Sequence, residues 1–314
     1  MKIAILNRVF LTQKHIQELQ SLGELIIFND TDSEQKAIER LKDVDIAIVD
    51  GFVCPLSKKV LEQTNNLRYI TLGATGYDCI DIEAANQKGI KVSNVPTYSS
   101  EAVAELAIAL MFSVARRIPY ADKKFKEKYF EIDPSYDLHN EFIGFSLQGK
   151  TLGILGYGDI GSRVAKLAKG LNMKILVHTR HPRNETGVKF VDFENLLRES
   201  DIVSIHLPLT DETAKLFSDR QFEIMKTEAV LINTARGKIV DTDALYKALT
   251  TKQIWGAGLD VVDAPPNHPI FKLNNIVFTP HSAFFTEEAL RNLANSIVEN
   301  VRNFVEGHPI NLVH

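Results

Sequence analysis

Short β-branched segments alternate with helical segments along most of the chain, and this alternation constrains the fold more than any other feature. The intervening segments read as helices, for example at 12–22, 57–64, 160–171 and 241–249. The candidate strands are KIAIL, ELIIF, VDIAIV, LRYITL and IKVSNV in the first part, and TLGILG, KILVHT, DIVSIHL, AVLINTA, IWGAGLD and NIVFTP after residue 150. This order is typical of parallel sheets with crossover helices. The sequence therefore predicts an α/β protein with two doubly wound parallel sheets.

Composition narrows the class of protein. The 314 residues, 45% of them hydrophobic, are enough for two domains, and a net charge of -4 argues against a nucleic-acid partner. Cys54 and Cys79 form neither a disulfide framework nor a metal-ligand spacing. MKIAILNRVF reads as a first strand, and no apolar stretch reaches the roughly 20 residues of a membrane span. We expect a cytoplasmic protein without metal or membrane partners.

Two further helical segments flank the second series of strands. Residues 101–115 are almost all apolar and small, so we expect them to be buried between domains or against a second subunit, although core of the same chain is an alternative. Residues 123–146 show no clean period and read as a helix end plus an arm or loop. Residues 286–306 read as one amphipathic helix that Gly307 ends.

A glycine-rich turn begins the second series of strands. LGILGYGDIG gives Gly-x-Gly-x-x-Gly directly after an apolar strand and at the start of a helix. Glycines allow backbone N–H groups to approach a pyrophosphate, which the helix N-terminus then favours. The candidate cofactor-binding residues here are Gly156, Gly158, Asp159, Ile160 and Gly161.

The next strand, KILVHT, lacks the acidic end residue that usually meets the adenosine ribose of NAD. Thr179 stands there, followed by Arg180, His181 and Arg183. Arginine can bind a phosphate through two hydrogen bonds, so the segment predicts a preference for NADP over NAD. The alternative is a solvated basic loop without a cofactor role.

Two later strand ends carry candidate catalytic groups. INTARGKIVD puts Arg236, and NIVFTPHSA puts His281, at the carboxyl ends of strands, where parallel sheets present ligands. Alone, each would more often be structural than catalytic.

Together these motifs resemble the D-2-hydroxyacid dehydrogenase family. LRYITLGATGYDCIDIEAANQKGIKVSN, YSSEAVAELAIAL, LGILGYGDIG, VSIHLPLTDET, LINTARGKIVD, AGLDV and TPH occur in the family's order over nearly the whole chain. The resemblance implies two Rossmann/flavodoxin-like domains with a cleft between them. Residues 1–98 plus 287–314 would form a substrate-binding domain, and residues 99–286 a dinucleotide-binding Rossmann domain.

The resemblance also implies roles for individual residues. Arg236 would hold the carboxylate and carbonyl of a 2-oxo acid, and His281 would exchange a proton with the reacting oxygen. The backbone at Thr75 and Gly76 would bind the substrate carboxylate. Positions implied to line the cofactor are Val103, His206, Leu207, Pro208, Thr213, Thr234, Ala235 and Asp260.

One segment departs from the family's pattern. A Glu that pairs with the catalytic His in the family is absent from GLDVVDAPPNHP, where Pro265 stands in its place. Asp263 could take the role, as a third catalytic residue. If it does not, we expect a lower pKa for His281 and carbonyl reduction that fades at a more acidic pH.

The resemblance implies an NAD(P)-dependent oxidoreductase for a small D-2-hydroxy acid or 2-oxo acid. PTYSSEAVAE is similar to hydroxypyruvate and glyoxylate reductases, whereas His281 to Thr286 is similar to D-lactate dehydrogenases. The alternative is a nucleotide-sensing binding protein with the same fold and weak catalysis. As in the family, a homodimer is expected.

Overall fold

The computed structural model describes residues 1–51, 56–128 and 140–313. The chain divides into two compact units, and the first is discontinuous. Unit 1 contains residues 1–99 and 285–314, and unit 2 contains residues 100–284. Both are α/β units with parallel sheets, as the alternation of strands and helices predicted.

Unit 1 is built on a parallel sheet with strand order β2-β1-β3-β4-β5 among the described residues. The strands are β1 Lys2–Ile5, β2 Glu24–Ile27, β3 Ile46–Val49, β4 Tyr69–Leu72 and β5 Lys91–Ser93. The helices between them are α1 Gln13–Leu22, α2 Glu34–Leu41, α3 Lys58–Glu62 and α4 Ile82–Gln87. Strands β1, β3 and β4 are buried on both faces, so helices must cover both sides of the sheet.

Unit 2 is built on a larger parallel sheet with strand order β12-β11-β10-β9-β6-β7-β8 among the described residues. The strands are β6 Thr151–Leu155, β7 Lys174–His178, β8 Lys189–Phe190, β9 Ile202–Ile205, β10 Val230–Asn233, β11 Gly256–Leu259 and β12 Ile276–Phe278. The helices are α5 Ser100–Ala115, α6 Ile118–Lys128, α7 Asp159–Gly170, α8 Phe193–Glu199, α9 Asp219–Ile224 and α10 Thr242–Thr250. Strand β8 has only two residues and was not predicted.

Helix α5 is buried, and unit 2 itself supplies the atoms that cover it. Ala104, Ala107, Leu110, Met111 and Val114 belong to the core that α7 and the central strands also form. The absence of a side chain at Gly258 in β11 allows α5 to approach closely, since a Cβ there would lie 3.0 Å from the Cβ of Leu110. The prediction of burial is confirmed. Covering by another domain or subunit is not needed to explain it.

The last helix, α11 Glu287–Val305, belongs to unit 1. The Thr286 side chain caps it by accepting from the Ala289 N–H at 3.2 Å. Leu293, Ile297 and Val301 pack against the strands of unit 1. The chain therefore returns to complete the first sheet only after unit 2. No helix among the described residues is both long and apolar enough to cross a membrane.

The irregular segment predicted at 123–146 is described only in part. Helix α6 extends to Lys128, and a 3-10 turn covers Asn140–Phe142. Residues 129–139 lie outside the described part of the chain.

Candidate active site

The predicted site residues of unit 2 lie along one edge of its sheet. The glycine-rich turn follows β6, Thr179 follows β7, His206 follows β9, Arg236 follows β10 and His281 follows β12. All these strands are parallel, so their carboxyl ends share this edge. Strands β7 and β9 flank β6, and this reversal of strand order creates the crevice in which doubly wound folds bind ligands.

The three glycines of the turn differ in whether the surrounding protein leaves room for a side chain. Gly156 has a φ of +89°, and a Cβ there would overlap the carbonyl oxygen of His206. A Cβ at Gly161 would overlap the carbonyl of Gly156. At Gly158, by contrast, no described atom beyond its chain neighbours lies within 4 Å of such a Cβ. The first and third glycines are required by packing, whereas the second leaves open space.

The N-terminus of α7 faces this space without a side-chain cap. Gly158 is the N-cap residue, and no side chain accepts a hydrogen bond there. Ile160 packs into the core, while Asp159 is exposed in the first turn, where Arg163 comes within 3.7 Å of its carboxylate. Free backbone N–H groups at a helix N-terminus are suited to an anion.

A buried hydroxyl at the other half of the edge also lacks a partner. Thr234 is 9% exposed, and its Oγ1 makes no hydrogen bond to the described residues. Such a group is costly unless a ligand satisfies it. The open helix N-terminus and this hydroxyl fit a dinucleotide, which carries a pyrophosphate at its centre and a carboxamide on the nicotinamide.

The loop after β7 carries the basic residues. Thr179 is half-buried, and its Oγ1 accepts from the His181 N–H at 3.5 Å. Arg180 is exposed, and no carboxylate of the described residues forms an ion pair with it. Arg183 lies over the ring of Tyr157 and pairs with Glu185. No acidic side chain therefore occupies the end of β7 itself.

Hydrogen bonds hold the loop after β9 at both of its ends. The His206 N–H donates to the Leu155 carbonyl at 2.7 Å, and the Thr213 hydroxyl donates to the Pro208 carbonyl at 2.7 Å. Burial lowers the pKa of His206 to about 4, and its Nε2 lies 2.9 Å from the Ser204 hydroxyl. His206 is therefore neutral at physiological pH. Leu207 packs against the core of unit 2.

Arg236 is held by the turn that presents it. The fully buried Asn233 donates from Nδ2 to the Arg236 carbonyl at 2.9 Å and accepts from the Ala235 N–H at 3.0 Å. The guanidinium of Arg236 donates to the Ala235 carbonyl at 3.0 Å. Sequence reasoning missed Asn233. Its place between an apolar strand and Arg236 was the available signal.

Asp260 holds the backbone on both sides of His281. It is 2% exposed, and its carboxylate accepts from the Thr279 hydroxyl at 2.6 Å, the Ser282 N–H at 2.9 Å and the Ala283 N–H at 3.1 Å. Its carbonyl accepts from the His281 N–H at 2.9 Å. His281 itself has a φ of +51°, a left-handed conformation that these bonds stabilise.

Three influences act on the pKa of His281. Desolvation by the surrounding protein lowers the pKa most, the Asp260 carboxylate raises it, and the Arg236 guanidinium lowers it. The net result is a pKa below the ordinary value of histidine, although the residue is exposed at the edge of unit 2. Arg236 is therefore near enough for its charge to act on the imidazole of His281.

Asp263 is exposed, and its electrostatic neighbour is Lys215. Its carbonyl accepts from the Thr242 hydroxyl at 2.9 Å, and its charge helps to raise the pKa of Lys215. The carboxylate that acts on the pKa of His281 is Asp260. The pairing of Asp263 with His281 stays a prediction, and the structure favours Asp260 for the electrostatic part of that role.

The remaining predicted residues lie on α5 and in unit 1. Val103 is 7% exposed and belongs to the first turns of α5. Thr75 and Gly76 follow β4 at the carboxyl edge of the first sheet. The Thr75 hydroxyl donates to the Val95 carbonyl at 2.9 Å, and its own carbonyl accepts from the Asn94 amide at 2.7 Å. These bonds fix the backbone there.

Comparisons with known proteins agree with this geometry. The family model for the D-isomer specific 2-hydroxyacid dehydrogenase NAD binding domain matches residues 108–283. A glyoxylate reductase from Thermococcus litoralis is 40% identical over 98% of this chain and 96% of its own length. Similar solved structures include an acyclic imino acid reductase (Bsp5) in complex with NADPH and D-Arg, at 35% identity, complete coverage of both chains and a TM-score of 0.93. Another is a D-lactate dehydrogenase from Aquifex aeolicus complexed with NAD and lactic acid, at 30% identity, coverage of 100% of this chain and 99% of that one, and a TM-score of 0.86.

Proposed function

The chain belongs to the D-isomer specific 2-hydroxyacid dehydrogenase family, and from this premise we propose which reaction it catalyses and with which residues. It is an NAD(P)-dependent oxidoreductase that transfers a hydride between a nicotinamide and a small D-2-hydroxy acid or 2-oxo acid. The observation that carries the proposal is that Arg236 and His281 follow strands β10 and β12 at the same carboxyl edge of the second sheet, where the charge of Arg236 acts on the imidazole. A cation and a titratable imidazole there can bind and protonate a 2-oxo acid.

In this proposal, Arg236 binds the carboxylate and the carbonyl oxygen of the substrate and so orients the reacting carbon. His281 donates a proton to that oxygen during reduction and takes it back during oxidation. When bound, the dinucleotide supplies or accepts the hydride. Thr75 and Gly76 are proposed, on the family resemblance, to bind the carboxylate through their backbone.

Steady-state oxidation of NADPH and NADH with glyoxylate, hydroxypyruvate, pyruvate and bulkier 2-oxo acids tests this function. We expect turnover with at least one small 2-oxo acid, and Arg236→Gln should raise its KM. Tight cofactor binding without turnover of any of these acids would instead indicate a nucleotide-sensing protein.

For the cofactor, we propose NADP(H) over NAD(H). The support is the half-buried Thr179 at the end of β7, with no carboxylate, followed by Arg180, which forms no ion pair among the described residues. Thr179→Asp combined with Arg180→Ala should shift kcat/KM toward NADH, because the new carboxylate repels a 2'-phosphate. An unmodified protein with equal or higher kcat/KM for NADH contradicts the preference.

Reduction of a 2-imino acid is a second candidate function. Pro265 stands where the family has its Glu, and desolvation and Arg236 keep the pKa of His281 low, so a smaller fraction of this imidazole carries the proton that an alkoxide needs at neutral pH. An iminium substrate already carries its proton, and hydride addition yields a neutral amine that water can protonate. The similar imino acid reductase was solved in complex with NADPH and D-Arg, and it matches this chain over the full length of both chains.

The two candidates predict different products from one mixture. The enzyme, NADPH, pyruvate and an excess of ammonium would yield D-alanine if the imine is the preferred substrate, and D-lactate if the ketone is. Chiral chromatography separates the two acids.

A cytoplasmic homodimer completes the proposal. Large apolar side chains are exposed on α5 and α6, namely Phe112 at 38%, Ile118 at 51% and Phe125 at 47%. Exposed apolar side chains on two neighbouring helices support an interface there. Sedimentation equilibrium should give twice the mass of 35.2 kDa.

A further inference from the structure

The carboxylate of Glu185 is the centre of a polar cluster that the proposed reaction does not use. Tyr157, the residue between the first two glycines of the turn, donates its hydroxyl to Oε1 at 2.7 Å. Lys169, near the end of α7, donates to the same oxygen at 3.2 Å and to the Thr186 carbonyl at 2.9 Å. Arg183 reaches the other carboxylate oxygen at 3.4 Å. We call Tyr157, Lys169, Arg183 and Glu185 the Glu185 cluster.

The tyrosine in this cluster is firmly fixed. Tyr157 is 8% exposed, and its ring packs edge-on against Phe190 of β8, with 5.6 Å between ring centroids. Burial and the neighbouring Glu185 raise the pKa of Tyr157 to about 12, so it remains a hydrogen-bond donor. The Tyr157 hydroxyl and then Lys169 lower the pKa of Glu185, which therefore stays charged. Tyr157 therefore stays protonated and Glu185 stays ionised, as the hydrogen bond between them requires.

This pair holds the guanidinium of Arg183 in one place. The guanidinium carbon lies 4.8 Å from the centroid of the Tyr157 ring, while one edge faces Glu185. The side chain is nevertheless 56% exposed, so it remains accessible to a ligand. A planar guanidinium that is stacked and paired loses little conformational entropy when it binds a phosphate.

The cluster is connected to the end of β7 through the glycine-rich turn. The Gly156 N–H donates to the His178 carbonyl at 3.0 Å, which joins the glycine-rich turn to the end of β7. Tyr157 and Thr179 directly follow these two bonded residues, and Arg183 belongs to the loop that Thr179 begins. The cluster itself has an excess of positive charge, because Lys169 and Arg183 both pair with the one carboxylate of Glu185.

We propose that Arg183 is a specificity-determining residue that binds the 2'-phosphate of NADP(H), and that Tyr157 and Glu185 are positioning residues that hold it. This rests on the proposed cofactor preference and extends it from the strand end to a residue further along the loop. The phosphate accepts hydrogen bonds from the guanidinium edge that Glu185 does not use. Glu185 thus aids binding of an anion although it is itself an anion.

The test measures dissociation constants by calorimetry for NADPH, NADH, adenosine 2',5'-bisphosphate and 5'-AMP. Arg183→Gln should weaken binding of NADPH about tenfold and leave NADH almost unchanged, because a charge-assisted hydrogen bond is lost only with the 2'-phosphate. Tyr157→Phe and Glu185→Gln should weaken NADPH about threefold to fivefold, again without a matching loss for NADH. In a protein that already carries Arg183→Gln, Tyr157→Phe and Glu185→Gln should cause no further change in the dissociation constant of NADPH.

Matched controls remove the same groups elsewhere in unit 2. Arg198→Gln removes an exposed arginine paired with Glu194, and Glu199→Gln removes an exposed glutamate paired with Lys189. Neither should change the ratio of the NADPH and NADH dissociation constants.

Two results overturn the role of Arg183 while leaving the cofactor preference intact. They are an unchanged NADPH affinity in Arg183→Gln, and equal weakening of both dinucleotides in all three variants, which would make the cluster a support of the fold. If the unmodified protein binds adenosine 2',5'-bisphosphate no more tightly than 5'-AMP, the cofactor preference fails as well.

Discussion

At the scale of single residues, Gly158 differs from the other glycines of its turn because nothing in the described protein requires it. Its φ of -84° is open to any residue, and the space beside it is empty. A ligand that approaches the N-terminus of α7 gives a physical reason for the missing side chain. Gly156, in contrast, is confined by its positive φ and by the His206 carbonyl.

Gly158→Ala should therefore separate binding from folding. We expect an unchanged melting temperature and a dissociation constant for the dinucleotide that rises about tenfold, equivalent to about 1.4 kcal/mol. Thermal unfolding and fluorescence titration measure the two quantities. Gly156→Ala is the control and should destabilise the fold, and a similar loss of stability in Gly158→Ala would contradict the assignment.

His281 should show its low pKa in the pH profile. Carbonyl reduction needs the protonated imidazole, so kcat/KM for reduction should fall as pH rises through a value below the ordinary histidine pKa. Oxidation needs the neutral imidazole and should rise over the same range.

Pro265→Glu should move that fall in reduction to higher pH, because a carboxylate beside the imidazole favours its charged form. Pro266→Glu adds the same charge one residue further along and serves as the control. If both variants have the same pH profile for reduction, a carboxylate at position 265 has no specific effect on the pKa of His281.

At the scale of elements, the conformation of the segment that follows β12 depends on the Asp260 carboxylate at the end of β11. Asp260 bonds to residues before and after His281, so its loss should disturb the imidazole's position as well as its pKa. Asp260→Asn should lower the free energy of unfolding by about 1–3 kcal/mol, since an amide NH₂ faces backbone N–H donors. It should also lower kcat and shift the pH profile for reduction to more acidic values.

Asp263→Asn provides the comparison for that prediction. It should leave the unfolding free energy and the pH profile unchanged, because Asp263 is exposed and acts on Lys215. A shift of the profile in Asp263→Asn alone would establish Asp263 as the partner of His281 after all.

Helix α11 offers a prediction about stability alone. Asn300 is fully buried, donates to the Thr71 hydroxyl at 3.1 Å and the Asn94 carbonyl at 2.9 Å, and accepts from Asn311. Asn300→Leu should cost about 1–3 kcal/mol in denaturant unfolding, because it leaves buried polar groups without partners. Asn303→Leu, at a half-buried position of the same helix where the amide donates to the Glu299 carbonyl, should cost less than half as much.

Local patterns predicted most elements but not the contacts between them. The eleven candidate strands are all present, since β-branched segments between helices carry a local signal. Strand β8 is too short to carry one. Periodicity predicted that α5 is buried but not that its own unit covers it. The hydrogen bonds of Asp260 and Glu185 join segments distant in sequence, and residue spacing does not encode them.

At the scale of the whole molecule, unit 1 is discontinuous in sequence, so fragments of the two units should differ in their ability to fold alone. Unit 2 contains its sheet, its helices and its core within residues 100–284. A fragment of those residues should unfold cooperatively and bind the dinucleotide. The fragment 1–99 lacks α11, whose residues Leu293 and Ile297 cover strands of unit 1, and should not fold by itself. Circular dichroism and calorimetry of the two fragments test this, and a stable 1–99 fragment would contradict it.

The late return of the chain also has a consequence during translation. When a ribosome has released the first hundred residues, the strands of unit 1 are all present, but the helix that shields one face of their sheet has not yet been made. Unit 2 can become native while that face is still open to water, so the first sheet is the last to be finished. We expect the nascent chain to be most susceptible to aggregation and to chaperone binding in this interval, until the ribosome has synthesised residue 305.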